Sequence, residues 1–389
     1  MKDFTFYSPT FFVFGKDKEN ETGKYVKKFG GSKVLIHYGG GSVVRSGLLD
    51  RVKASLDAEN IPYVELGGVK PNPRSGLVYE GINLCKKEGV DFIMGLGGGS
   101  VLDSSKAIAA GAVYDGDFWD FFSKGMKIEK ALPLGTIVTI SATGSEASPD
   151  TIITKEEGMY KIAADGDAVR PVFSIMNPAL TMTCPPYQKA CGITDMMTHV
   201  MERYFSNTKD VEITDRVGEG ILKAIITEGK RVMAEPDNYE AHANIMWAGT
   251  IAHNDSVGIG RDQDWGPHHI EHELSGLYDC AHGAGLAVVY PAWMKFVMNH
   301  DIDKFCQYAT RVWGCEMNYE HPELTAMEGI ERFQAFVKSI GMPTTIEELG
   351  GKEEDIPVLV EKMFHERPNH GSFVKLTEES TAEILRLAL

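Results

Sequence analysis

The chain has 389 residues, 43% of them hydrophobic and 24% charged. That length suits two or three ordinary domains, and that balance excludes both a disordered protein and a small scaffold that needs disulfide or metal staples. Lys and Arg total 39 against 55 Asp and Glu, a formal charge of −16, which argues against a nucleic-acid partner while leaving room for a local pocket that takes one phosphate.

The N-terminus, Met1-Lys2-Asp3-Phe4, lacks the basic and then apolar run of an export signal. No apolar stretch approaches the ~20 residues of a membrane span. Six cysteines, Cys85, Cys184, Cys191, Cys280, Cys306 and Cys315, include no CxxC pair. The expectation is a cytoplasmic protein with free thiols and no membrane partner. Residues 33–38 form a buried-strand pattern that stops at Gly39-Gly40-Gly41, and Val44, Leu48, Leu49, Val52 and Leu56 follow at helical spacing. Residues 62–66 read as a second strand, 78–87 as a helix and 91–96 as a third strand. A glycine run and a helix over 102–110 come next, then a fourth strand over 133–140. This alternation predicts a parallel sheet covered on both faces. A hairpin is expected between 151 and 173, turning at Glu156-Glu157-Gly158. After Pro185-Pro186 the period becomes helical, over 193–204, 215–226, 239–252 and 330–340. The expected organisation is an α/β nucleotide-binding domain, residues 1–185, and an all-helical metal-binding domain, residues 186–389.

Two loops share one design. Gly39-Gly40-Gly41-Ser42 follows the first strand; Gly97-Gly98-Gly99-Ser100 follows the third and opens a helix. Glycines let the backbone approach a diphosphate, and the free N–H groups of a helix start face the anion. The second loop does not fit the GxGxxG fingerprint of a first βα turn, so an ordinary dinucleotide fold is not expected. The first loop has Arg45 shortly after it and no acid nearby in the sequence. A carboxylate there would hold a ribose 2′-hydroxyl, whereas a hydroxyl and a guanidinium suit a 2′-phosphate, so NADP is expected over NAD.

The 12 histidines are unevenly spread. Asp195 and His199 stand four apart, on one face of a helix. His268, His269 and His272 cluster after Asp264-Trp265-Gly266-Pro267, and His282 follows. One carboxylate with three imidazoles suits divalent iron, zinc, cobalt, nickel or manganese. The other histidines, His37, His242, His253, His300, His321, His365 and His370, are isolated and read as structural. Trp265 could equally line a pocket or pack in the core.

Taken together, Gly97-Gly98-Gly99-Ser100-Val101-Leu102-Asp103 with Lys106, Thr139-Ile140-Ser141-Ala142-Thr143-Gly144-Ser145-Glu146, Asp195-Met196-Met197-Thr198-His199, and His268, His272 and His282 resemble the iron-containing (group III) alcohol dehydrogenases. The likeness runs over essentially the whole chain. Tyr38-Gly39-Gly40-Gly41-Ser42, Pro71-Asn72-Pro73 and Asn244-Ile245-Met246-Trp247-Ala248 are closer to its NADPH-dependent butanol dehydrogenase and aldehyde reductase branch. The resemblance implies a dehydroquinate synthase-like fold, a divalent metal (Fe2+ foremost, with Zn2+, Co2+ or Ni2+ as alternatives) and a homodimer. It implies Asp195, His199, His268 and His282 as metal ligands, the last two keeping the family's spacing of 14. It places Gly39, Gly40, Ser42, Asn72, Gly98, Gly99, Ser100, Asp103, Thr139, Thr143, Lys161 and Leu180 at an NADP(H) cofactor, and His272 near the nicotinamide as the catalytic histidine. His269 departs from the family, which has an apolar residue there, and could offer the metal an alternative imidazole.

The activity this implies is interconversion of short-chain aldehydes such as butanal and primary alcohols, with the metal polarising the carbonyl and NADPH delivering hydride. A polyol dehydrogenase or sugar-phosphate cyclase of the same superfamily is the alternative. A cyclase needs several basic groups for a phosphorylated substrate, and by sequence only Arg203 and Arg261 lie near the metal segments.

Overall fold

The computed structural model describes residues 1–365 and 369–389. They form two compact units, one of Tyr7–Cys184 and one of Pro185–Leu389 together with Met1–Phe6. The N-terminal six residues thus belong with the helical unit. There Lys2 N–H donates to Gly260 O at 2.8 Å and the Lys2 ammonium pairs with Asp262.

In the first unit the strands are β1 (Phe11–Phe14), β2 (Val34–Gly39), β3 (Tyr63–Val69), β4 (Phe92–Gly97), β5 (Leu134–Val138), β6 (Asp150–Lys155), β7 (Tyr160–Asp165) and β8 (Phe173–Met176). Six of them make a parallel sheet in the order β1-β8-β5-β4-β2-β3. β6 and β7 form the separate antiparallel hairpin. The four strands and the hairpin expected from sequence are present, and β1 and β8 extend the sheet at the β5 edge. β4 is buried at every position, as the centre of a sheet packed on both faces must be. Leu35, Ile93 and Ile108 belong to the apolar core on one face; Ile36, Met94, Ile137 and Val52 belong to the other. The helix expected to follow β2 is two helices, Ser42–Arg45 and Leu48–Ala58.

In the second unit the helix Pro186–Tyr204 is buried at every position from Lys189 to Tyr204, which makes it the axis around which the others pack. Pro186 starts it where a missing N–H costs nothing. The helices Glu212–Ala234, Tyr239–His253 and His282–Val297 pack on it, around a core that includes Phe205, Tyr290, Trp293, Phe305 and Phe333. The start of His282–Val297 lies so close to the axis helix that a Cβ at Gly283 would stand 2.1 Å from Cys191 O. No side chain fits there, and the contact sets His282 beside Asp195. Among the described residues, no helix is long and apolar enough to cross a membrane.

Candidate metal centre and nucleotide site

Three helices deliver the expected ligands: Pro186–Tyr204 carries Asp195 and His199, Gly266–Tyr278 carries His268 and His272, and His282 opens His282–Val297. Their side chains converge on Asp195 Oδ1, which stands 3.6 Å from His199 Nδ1, 3.9 Å from His268 Nε2 and 3.6 Å from His282 Nε2. Those separations are too long for hydrogen bonds. They suit donors that each reach one cation at about 2.0–2.2 Å. The ligand atoms of Asp195, His268 and His282 all lie within 4.8 Å of one another; His199 adjoins this trio without completing it. His199 Nδ1 is nevertheless buried and makes no hydrogen bond among the described residues. The donor set therefore fits a divalent ion. Burial, then the neighbouring imidazoles and Arg203, hold the His199 pKa well below its ordinary value, so the ring is neutral with a lone pair to give.

Two carboxylates not foreseen from sequence orient the rings. His268 Nδ1 donates to Glu202 Oε1 at 2.6 Å, and His282 Nδ1 donates to Glu271 Oε2. With Nδ1 committed, Nε2 of each ring is the lone pair facing Asp195. Glu202 and Glu271 are both fully buried. Burial pushes the Glu202 pKa up, while hydrogen bonds from the backbone N–H of Trp265 at 2.8 Å and His268 at 3.2 Å oppose the shift and favour the carboxylate. Spacing could have found both: Glu202 is three residues past His199, and Glu271 three past His268, each on the ligand face of its helix. Trp265 sits at φ 70°, strained for a bulky residue, with its ring edge-on to His199 and His268 at 5.8 and 5.2 Å.

His272 groups with Glu271 and His282 in a second triplet of close donors, its ring 5.8 Å from that of His282. His269 lies in neither triplet: its Nδ1 is 3.0 Å from Nδ1 of His370, whose Nε2 donates to Met363 O at 2.8 Å. His370 is therefore half of a pair rather than isolated. His253 too is not isolated, since it stacks on His199 at 4.1 Å. Arg261 is taken up by Asp215 at 2.8 Å, and Arg203 by His199 O and His253, so both have structural duties instead of lining a phosphate pocket.

In the first unit the turn after β4 leads straight into the helix Gly99–Val113, with Gly98 as its N-cap. A Cβ at Gly99 would meet Thr143 Oγ1 at 2.6 Å, and Thr139 N–H donates to Gly97 O at 3.0 Å. The 139–143 segment thus lies over the glycine turn, bringing Gly98, Gly99, Thr139 and Thr143 together, with Ser100 in the first turn of the helix. Asp103 lies deeper. Its carboxylate accepts from Ser145 Oγ at 2.7 Å and Ile152 N–H at 3.3 Å, and burial pushes its pKa up to about 6. It clamps the 145–152 segment to the helix.

Lys161, on β7, pairs across the hairpin with Thr154, whose N–H donates to Pro73 O at 2.8 Å. Arg74 Nη1 donates to Asn72 O at 2.8 Å. The Asn72 turn, at φ 53°, and the Lys161 hairpin are thereby tied together, both side chains buried. Leu180, in the one-turn helix Ala179–Met182, packs with Tyr38 against the core under β2. Gly39 ends β2, Gly40 is exposed with open space around its Cα, and Ser42 begins the next helix. An acid does approach this loop from the neighbouring strand. Tyr38 Oη donates to Glu65 Oε2 at 3.4 Å, and Lys53 Nζ pairs with Glu65 Oε1 at 2.5 Å. The sequence hides this because Glu65 arrives through the β2–β3 pairing.

Residues 9–178 match the family described as iron-containing alcohol dehydrogenase, and residues 189–389 match the C-terminal part of the same family. The chain belongs to the iron-containing alcohol dehydrogenases. The NADH-dependent butanol dehydrogenase A of Clostridium acetobutylicum is 40% identical over 388 residues, covering 99% of each chain. The NADPH-dependent aldehyde reductase YqhD of Escherichia coli is 36% identical, covering 93% of each. The crystal structure of NADH-dependent butanol dehydrogenase A from Thermotoga maritima matches with a TM-score of 0.97 at 40% identity, covering 100% of this chain and 99% of that one. As an iron-containing alcohol dehydrogenase, the chain is an oxidoreductase, and membership carries a divalent metal and a nicotinamide cofactor.

Proposed function

We propose that this chain interconverts short-chain aldehydes, butanal among them, and primary alcohols, with NADP(H) as the preferred cofactor. The observation that carries the reading is the convergence of His199, His268 and His282 on one oxygen of Asp195 at 3.6–3.9 Å. In this reading Asp195, His199, His268 and His282 hold the ion. When bound, the ion supplies Lewis acidity to the reacting oxygen, and the nicotinamide carries the hydride. Glu202 and Glu271 keep the ligand lone pairs aimed. Three neutral imidazoles and one carboxylate leave a divalent ion a net positive charge. His272, beside His282, exchanges the proton with the alcohol oxygen. Gly98, Gly99, Ser100, Thr139 and Thr143 take the diphosphate end of the cofactor; Asn72, Lys161 and Leu180 contact it further along, and Asp103 acts by holding the 145–152 segment.

The preference for NADP rests on Gly39, Gly40, Ser42 and Arg45 at the first loop, and on the pairing of Glu65 with Lys53, which offsets the one acid there. The relatives divide on this point, the Clostridium enzyme being named NADH-dependent and the E. coli enzyme NADPH-dependent. The same reading carries a homodimer, which sedimentation would test, and a reducing compartment such as the cytoplasm, which suits six free thiols. The deciding experiment pairs metal analysis with NADPH and NADH oxidation rates on a series of aldehydes, for the wild type and His282→Ala. The variant should lose both bound metal and aldehyde-dependent NADPH oxidation. Full activity in demetallated protein, or faster turnover with NADH, refutes the corresponding half of the proposal.

A further inference from the structure

Beside the four expected ligands, the helical unit holds a row of three stacked imidazoles. His253, the last residue of the helix Tyr239–His253, lies on His199 with ring centroids 4.1 Å apart and planes 17° from parallel. His199 in turn lies on His268 at 4.8 Å and 21°. The Trp265 ring meets all three edge-on, at 5.9, 5.8 and 5.2 Å.

The two ends of the row are held differently. At one end His268 Nδ1 donates to Glu202. At the other, Arg203 Nη2 lies 2.9 Å from His253 Nδ1. A guanidinium can only donate, so His253 Nδ1 accepts and the ring proton resides on Nε2. Arg203 is itself fixed: its Nη1 donates to His199 O at 2.9 Å, its Nε is 3.6 Å from Asp255 Oδ1, and its guanidinium rests over the Trp265 ring at 4.7 Å.

His199 differs from its two partners. His268 and His282 each have a carboxylate on Nδ1 that sets the ring plane. Among the described residues, the one carboxylate beside the His199 side chain is Asp195 itself. Its plane is set instead by the rings on its two faces. We propose that His253 is a positioning residue for His199: it closes the face of that ring opposite His268 and, locked by Arg203, fixes the plane in which His199 meets the ion. A purely apolar ring would close the same face but leave the buried N–H of Arg203 without its acceptor, at a cost in stability.

The proposal rests on the reading of Asp195, His199, His268 and His282 as metal ligands. Its test uses the full chain stripped of metal and titrated with Co2+. Affinity is measured by competition with a chelator, and geometry by the visible d–d absorption. His253→Gln keeps an acceptor for Arg203 and removes the ring; His253→Phe keeps a ring and removes the acceptor. We expect His253→Gln to bind Co2+ about 10–100-fold more weakly, the usual cost of losing a group that orients a ligand, with a changed absorption spectrum. His253→Phe should keep near wild-type affinity and spectrum while melting at a lower temperature. Wild-type affinity and spectrum in His253→Gln overturn the proposal, and so does equal weakening in both variants. Asp195→Asn is the control: if it binds Co2+ as the wild type does, the metal-centre reading itself fails and takes this one with it.

Discussion

His37 offers a quantitative test of how the α/β unit is held together. It lies in the middle of β2 with no exposure, its Nδ1 2.8 Å from Leu66 O and its Nε2 2.8 Å from Ser104 Oγ. A carbonyl only accepts, so Nδ1 carries the proton and Ser104 donates to Nε2. Leu66 lies where the β2–β3 register slips, between His37 and Gly39, as β3 passes through Gly68 at φ 99°. One neutral ring thus joins β2, β3 and the helix behind the second glycine turn. Burial pushes its pKa down from the ordinary 6.5 to about 4, with the bond to Leu66 opposing the shift.

Between those values the unfolded chain binds a proton that the folded chain refuses. Stability from neutral His37 is therefore complete above pH 6.5, falls as the pH drops, and levels out below 4. At 1.36 kcal/mol per unit, the loss is about 3 kcal/mol. The assay is urea unfolding of the wild type and His37→Gln across this range. Glutamine supplies a donor and an acceptor but does not titrate, so the wild type should lose about 3 kcal/mol more than the variant on acidification. Parallel pH profiles would refute the reasoning.

Glu202→Gln should weaken metal binding about 10–100-fold, because an amide cannot replace a carboxylate that accepts from one imidazole and two backbone N–H groups; chelator competition measures it. Gly99→Ala forces Thr143 to move, since the new Cβ would stand 2.6 Å from its Oγ1. The nucleotide KM should rise about tenfold or more while metal content stays unchanged, and a wild-type KM would contradict the placement of that turn. Lys106→Met strands the carbonyls of Ser148 and Asp150, which Nζ now meets at 3.0 and 2.7 Å; a loss of about 3 kcal/mol is expected in chemical denaturation.

Local signals made half of the architecture legible. Buried-strand patterns ending in glycines marked β2 and β4, because a strand that runs into a helix N-terminus at a close-approach turn leaves that mark in adjacent residues. β1 and β8 left none: each has four residues, and their pairing joins positions more than 150 residues apart. The candidate metal ligands were legible in two ways: Asp195 and His199 as a spacing of 4 on one helix, and His268 and His282 through the resemblance to the family, whose spacing of 14 they keep. Glu202 and Glu271 were within reach of that logic and were missed by attending to histidines alone. His253 and His370 were not within reach. Tertiary packing brings them to His199 and His269 from other parts of the chain, over separations of 54 and 101 residues. Glu65 was hidden in the same way, since only strand pairing sets it beside Tyr38.

The carboxylate of Glu202 receives three N–H groups, two of them from the backbone at Trp265 and His268. The left-handed turn at Trp265 and the aim of His268 therefore share one anchor, which lies some sixty positions earlier in the chain. Both are held by the same fully buried side chain, so removing it would release the turn and the ring together.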